Sequence, residues 1–140
     1  MSVDCFLDTN VLGYAFSNLP ADAPKRASAE KIMLQHRYGI SVQVLQELYV
    51  VLTRKAQIQM PATHAQTVIM NFQGTPCVVL DSALVLAGIA ISIRYQTSYW
   101  DGAIIAAAER LHAPVLYSED LADGQRYGAV TVVNPFKECH

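Results

Sequence analysis

The chain is poor in charge. Only 16% of its 140 residues are Asp, Glu, Lys or Arg, against roughly 25% in an average soluble protein, while 52% are hydrophobic. That balance excludes a disordered chain. An excess of basic residues is also missing: ten Lys and Arg against twelve Asp and Glu give a net charge of −2, which does not by itself attract a polyanion. A phosphate-bearing partner would need positive charge from elsewhere, such as bound cations. Long apolar runs are absent too. The longest, Ala83 to Ile91, contains Gly88 and falls far short of the roughly 18 residues of a membrane span, so no membrane partner is expected. The opening residues, Met1 to Asp8, place acids where an export signal carries positive charge, and a cytoplasmic location is expected. Three cysteines, Cys5, Cys77 and Cys139, are odd in number and widely spaced. They match neither a disulfide framework nor a paired zinc motif and read as reduced thiols, with Cys139-His140 a chain end rather than a metal site. No Pro-rich or Gly/Ser-rich linker and no repeat divides the sequence, so residues 1–140 are expected to form one domain.

What is present is an alternation of short apolar β-type runs with longer helical ones. Strands are expected at Val3–Leu7, Gly39–Val42, Cys77–Leu80, Val115–Ser118 and Ala129–Val133. Helices are expected at Val11–Phe16, Lys25–Tyr38, Gln43–Lys55, Ala62–Phe72, Ser82–Tyr95 and Tyr99–His112, with a loop over Pro20–Pro24. Strands separated by helices imply an α/β fold: a three-layer α/β/α sandwich around a central parallel sheet.

In such a sheet, ligands bind outside the carboxyl ends of the strands. Asp8 directly follows the first strand, and Asp120 lies just past the fourth. Asp101 opens the helix that returns to the fourth strand, so it starts at the same edge. Glu47 lies about 6 Å along the helix that leaves the second strand. Four chain regions thus direct a carboxylate to one place. Each residue also has a structural reading. Asp8 is placed to cap a helix, Ser98-x-x-Asp101 resembles a capping box, and Asp120 stands among turn acids with Glu119 and Asp123. For Glu47 the helical neighbours Val44, Leu48, Val50 and Val51 suggest an apolar setting without a basic partner; the alternative is an exposed Glu on a helix whose core face is turned elsewhere. Clustered carboxylates repel unless a cation is bound, and oxygen-only ligation suits Mg²⁺ or Mn²⁺. The chemistry natural to that set is phosphodiester hydrolysis.

Asp8-Thr9-Asn10 after an apolar strand, Leu45-Gln46-Glu47-Leu48, Ser98-Tyr99-Trp100-Asp101 opening an alanine-rich helix, Ser118-Glu119-Asp120-Leu121, and the tail Val132-Val133-Asn134-Pro135-Phe136 resemble the PIN-domain nucleases. The likeness covers nearly the whole chain and is greatest to the VapC-type toxins of toxin–antitoxin pairs. It implies a Mg²⁺- or Mn²⁺-dependent endoribonuclease in which Asp8, Glu47, Asp101 and Asp120 hold metal and activate water, with Asn10 and Ser118 as hydrogen-bonding supports. It further implies a homodimer, a small antitoxin partner whose tail enters the acidic groove, and structured RNA such as tRNA as substrate. Glu119 and Asp123 stand near enough to replace Asp120 as the fourth acid.

Other groups carry weaker signals. Asp81-Ser82 before an apolar helix reads as a cap, and Tyr99 and Trp100 as packing at a helix start, with stacking of either on an unpaired base at the mouth of the site as the alternative. Lys25, Arg26, Lys31 and Arg37, then Arg54 and Lys55, then Arg94, Arg110 and Arg126 are scattered; for the first group a solvated helix face outweighs phosphate contact. His36, His64 and His112 show no ligand spacing. Exposed apolar side chains for a dimer are expected among Val68, Ile69, Phe72, Leu86 and Ile93. A receiver-like signalling domain fits worse, since Thr9-Asn10 stand where it has a second acid, and Lys137 is the only late lysine. A catalytically silent PIN-fold module, binding RNA or a partner, keeps the fold and drops the chemistry.

Overall fold

The apolar runs do form strands, in most cases shorter than the runs themselves. In the computed structural model, which describes residues 2–139, the strands are β1 (Cys5–Leu7), β2 (Tyr38–Ser41), β3 (Cys77–Val78), β4 (Val115–Tyr117), β5 (Arg126–Tyr127) and β6 (Val130–Val133). His140 lies outside the described residues. Helices are α1 (Thr9–Tyr14), α2 (Ala23–Gln35), α3 (Val42–Arg54), α4 (Ala62–Met70), α5 (Ser82–Tyr95) and α6 (Tyr99–Arg110), and a 3₁₀ turn, Pro20–Asp22, leads into α2.

The sheet order is β3-β2-β1-β4-β6-β5. Its first five strands are parallel, with Leu7 opposite Tyr117 and Phe6 opposite both Gly39 and Leu116. The sixth, β5, is an addition to the expected sheet and runs antiparallel to β6, pairing Tyr127 with Val130. Two residues are too few to show a period-2 pattern. The connection is nevertheless a hairpin signal: Gly128 takes the first of two loop positions at φ 61°, a left-handed conformation that glycine adopts without a Cβ penalty.

Helix starts are fixed by side chains that satisfy free N–H groups. Ser41 accepts from Val44 N at 3.2 Å, Asp81 from Leu84 N at 2.7 Å, and Ser98 from Asp101 N at 3.1 Å. Asp81 also pairs with Arg110, so its expected capping role holds. The core joins Phe6, Leu7, Leu12, Ile40, Leu48 and Leu116 among its fully buried side chains. α1 packs on α2 and α3, whereas α6 lies across β2, β4 and β6 and pairs with α5, which gives the three-layer arrangement.

That pairing depends on small residues. A Cβ on Gly88 would come 3.1 Å from the Ala103 Cα, and one on Gly102 would press on the Gly88 carbonyl oxygen and stand 3.1 Å from Ser92 N. Both neighbours are backbone, which cannot swing aside. Gly102→Ala is therefore expected to destabilise by about 1–3 kcal/mol, overcoming the helix-propensity gain of ~1 kcal/mol. A denaturant midpoint at or above that of the unmodified protein would show that the helices separate without cost.

Of the apolar residues expected at a surface, Val68 and Phe72 are buried in the core. Leu86 and Ile93, 66% and 73% exposed, are on α5 with the partly exposed Ile89, and Met70 at the end of α4 is 60% exposed, so both helices leave apolar side chains uncovered. Among the described residues no helix is long and apolar enough to cross a membrane.

Candidate active site

Parallel neighbours β1 and β4 end level with one another, and the residues just past them meet. Asp8 caps α1, its Oδ1 accepting from Thr9 N–H at 2.8 Å, and its Oδ2 accepts from the Ser118 hydroxyl at 2.8 Å. Ser118 is buried, and its Oγ in turn accepts from the Asp120 and Leu121 N–H groups at 3.2 and 3.4 Å. This shapes the turn that presents Asp120. Asn10 holds the same turn from α1: its Nδ2 donates to Asp120 Oδ2 at 3.0 Å, and its Oδ1 accepts from Glu119 N at 3.1 Å. Glu47 joins from α3, accepting from the Thr9 hydroxyl at 3.1 Å and from the Gln43 amide at 2.9 Å. One hydrogen-bonded set thus links Asp8, Glu47 and Asp120 through Thr9, Asn10 and Ser118.

The electrostatics match the geometry. Burial pushes the Asp8 carboxyl up to about 6; the bonds from Ser118 and Thr9 pull against this, while the Glu47 and Asp120 charges add to it. Among the described residues, none of these three carboxylates has an ion-pair partner. The neighbouring acids do. Glu119 accepts from Lys25 Nζ at 2.6 Å and from the Tyr14 hydroxyl at 2.9 Å, and Asp123 pairs with Lys137 at 3.2 Å and accepts from Asn134 N. Both alternatives to Asp120 are therefore engaged elsewhere. Lys25, expected on a solvated face, instead lies over the Tyr14 and Phe136 rings and tethers the Glu119 end of the turn.

Two expectations change, those for Glu47 and Trp100, while Asp101 starts its helix toward the expected edge. Glu47 is exposed, because the buried face of α3 is Val44, Leu48 and Leu52, with Val50 outside. Its place in the set comes from Thr9 and Gln43, not from an apolar enclosure. Asp101 begins α6, whose far end brings Leu111 against Gly39 near the start of β2, so the first turn lies toward the carboxyl edge. Among the described residues its carboxylate takes no part in the hydrogen-bonded set, and after burial its charge helps raise the Tyr127 phenol. Trp100 is 66% exposed, while Tyr99 packs against Gly88 as expected. Neither Thr9 nor Gln43 was expected from the sequence to have a part in holding Glu47, although Gln43 stands one helical turn before it and could have been found at that spacing.

A cavity of about 240 Å³ opens beside the set, lined by Glu47 and Asp120 among others. A larger space of about 740 Å³ lies between α3 and α4, but its lining, including Leu45, Tyr49 and Ile69, contains no acid and is remote in chemistry from this set.

The family model of the PIN domain matches residues 5–122, a span that holds Asp8, Glu47, Asp101 and Asp120. The chain belongs to the PIN-domain family. No curated protein matches the sequence at a significant level. Among solved structures, a toxin–antitoxin complex from Klebsiella pneumoniae matches this PIN domain at TM-score 0.69 and 20% identity, over 94% of this chain and 97% of that one. The VapC20 toxin of Mycobacterium tuberculosis, described as cleaving the sarcin–ricin loop, matches at 0.64 and 17% identity over 83% and 91%. VapBC2 from Rickettsia felis, bound to a DNA fragment from its promoter, matches at 0.62 and 15% over 91% and 96%. At these identities the likeness is one of fold.

The donor set of this PIN domain suits a hard divalent cation. Its groups are all carboxylate oxygens, and they lack a basic partner. Among the described residues no three His, Cys, Asp or Glu side chains gather closely enough to hold an ion by themselves. That spacing fits a cation that keeps several waters and takes only one or two carboxylates better than one needing a full protein cage.

Proposed function

We propose that this PIN domain is a Mg²⁺- or Mn²⁺-dependent endoribonuclease and the toxin of a toxin–antitoxin pair. The observation that carries the reading is a partly buried Asp8 linked to Glu47 and Asp120, with no basic side chain paired to any of the three among the described residues, in a chain of this family. Asp8, Glu47 and Asp120 would hold the cation, with Asp101 approaching from the same sheet edge. When bound, a divalent cation neutralises the phosphodiester, acidifies water and stabilises the leaving oxygen, supplying the positive field that a net charge of −2 lacks. Ser118 and Thr9 fix both oxygens of Asp8, Asn10 aims Asp120, and Gln43 with Thr9 orients Glu47. All 140 residues would then serve one catalytic domain.

The similarity in fold to VapC20, which cleaves the sarcin–ricin loop, supports structured RNA as substrate, and that to the Klebsiella toxin–antitoxin complex and VapBC2 supports a small antitoxin as partner; tRNA as the target and a cytoplasmic setting belong to the same proposal. The exposed α5 face supports a homodimer, and sedimentation is expected to give about twice 15.4 kDa. A single 15.4 kDa species at micromolar concentration would remove that part of the reading.

The deciding experiment is cleavage of a tRNA pool with Mg²⁺ or Mn²⁺ and with EDTA. Products should carry 5′-phosphate and 3′-hydroxyl ends, and EDTA should abolish them. Cleavage that persists in EDTA, or cyclic-phosphate ends made through the RNA 2′-hydroxyl, would place the chemistry elsewhere.

A further inference from the structure

The cavity beside the carboxylates extends along α3. Glu47 and Val51 of α3 and Lys55, the residue that caps its carboxyl end, stand four residues apart and line the cavity in turn, a span of about 12 Å at 1.5 Å per residue. Asp120 borders the acidic end, whereas Gln57 lines the cavity beyond the end of α3. The polar groups between are occupied: Tyr14 and Glu119 with Lys25, Ser17 with Asp22, and Asn10 with the Glu119–Asp120 turn. Among the described residues, the Lys55 ammonium and the Gln57 carboxamide are different, since neither side chain has a hydrogen bond or ion pair. Their backbone is nonetheless held. Lys55 N donates to Val51 O at 3.0 Å, Ile58 N to Lys55 O at 3.0 Å, and the Gln57 carbonyl accepts from Asn18 N at 2.9 Å.

We propose that this cavity takes the base of a nucleotide flanking the scissile phosphodiester, with Gln57 reading the base edge and Lys55 meeting a neighbouring phosphate. The assignment deepens the endoribonuclease reading and rests on it. A volume of about 240 Å³ lies below the ~300–1,000 Å³ of sites for drug-sized ligands, which suits one unstacked ring system rather than a stretch of helix. Single-stranded RNA is read on its exposed base edges, and a carboxamide offers a donor and an acceptor side by side. The polarity also agrees with the chemistry. Acids that would hold a cation stand at one end and a free ammonium at the other, so a phosphate chain laid along α3 meets positive charge at both.

Two measurements test it on the full chain. In the first, ¹⁵N-labelled protein is titrated with the four ribonucleoside 5′-monophosphates in millimolar Mg²⁺. The Gln57 side-chain amide signals should move with at least one of them. Gln57→Met should weaken that nucleotide roughly tenfold and the others less, while Lys55→Gln weakens all four alike. Signals that move only elsewhere, or unchanged affinity in Gln57→Met, would overturn the proposal whatever the enzyme's activity. In the second, a randomised RNA is cleaved and sequenced. A base preference beside the cut should flatten at least fivefold in Gln57→Met, whereas Lys55→Gln should raise KM and leave the preference intact. Metal-dependent cleavage with the same preference in Gln57→Met removes the base-reading role alone. A wild type that never cleaves counts against the nuclease reading, and the nucleotide titration still decides the cavity.

Discussion

Asp8→Asn is expected to lower RNA cleavage by on the order of 10²-fold or more while the protein stays folded. The substitution is nearly isosteric. Its carbonyl oxygen can still accept from Thr9 N, but the bond that Ser118 now gives is lost, because Ser118 Oγ already accepts from the Asp120 and Leu121 N–H groups and has no lone pair left for an amide donor. The charge disappears as well, and with it the carboxylate nearest the centre of the set. Asp120→Asn should behave alike, because the Asn10 amide still finds an acceptor there. Glu47→Gln should also lose most activity, and Gln43 and Thr9 give it partners enough to stay placed. Asp101→Asn is the informative fourth member, since its carboxylate is outside the hydrogen-bonded set. A comparable loss would establish that it reaches the reacting phosphate or its cation, and full activity would assign it to α6 alone. Single-turnover rates with saturating Mn²⁺, compared with circular dichroism of each variant, separate lost chemistry from lost fold. An Asp8→Asn protein that cleaves within threefold of wild type would remove Asp8 from the site.

Why Asp8, Ser118 and Asp120 can be found without coordinates follows from the topology. Parallel strands point one way, so residues that directly follow β1 and β4 must meet once Leu7 pairs with Tyr117. Asn10 needs one step more, because it reaches Asp120 only when α1 turns back over the edge. Glu47 shows where pattern runs out. Valine and leucine surround it in sequence, yet which of them face the core depends on the rotation of α3, which only its packing in the fold reveals, including the close approach of Val51 to Gly13 of α1, where a Cβ would stand 3.2 Å from its Cγ1. The engagement of Glu119 by Lys25 spans 94 positions and leaves no local trace. Strand β5 is a different case, for its Gly128 hairpin signal is present, but two residues carry no periodicity to confirm it.

The same burial that marks Asp8 should make stability depend on pH and on cation together. An ordinary Asp titrates near 3.8, whereas in the native protein without metal Asp8 titrates at about 6. Between those values the folded state keeps a proton that the unfolded state has released. Asp8 therefore contributes stability that is fully present below about pH 4 and is lost as pH rises through about 6, a change of roughly 3 kcal/mol at 1.36 kcal/mol per pKa unit. Asp81 and Asp123 act in the opposite sense, since their hydrogen bonds, first to Leu84 and Asn134, hold them below the usual range. Their contributions are lost only as pH falls below about 4, so the two windows separate. Metal-free wild type should thus lose stability from pH 4.5 to 7.5 relative to Asp8→Asn, the difference between them moving in the variant's favour across that range. A cation competes with the proton for Asp8. Millimolar Mn²⁺ should accordingly raise the melting temperature of wild type far more at pH 7.5 than at pH 5, by an amount equivalent to ~2.7 kcal/mol once its concentration reaches a hundredfold Kd. Calorimetric melts of both proteins at the two pH values, with and without Mn²⁺, supply all the comparisons. An equal Mn²⁺ effect at both pH values, or an undiminished one in Asp8→Asn, would mean that the cation does not bind at Asp8.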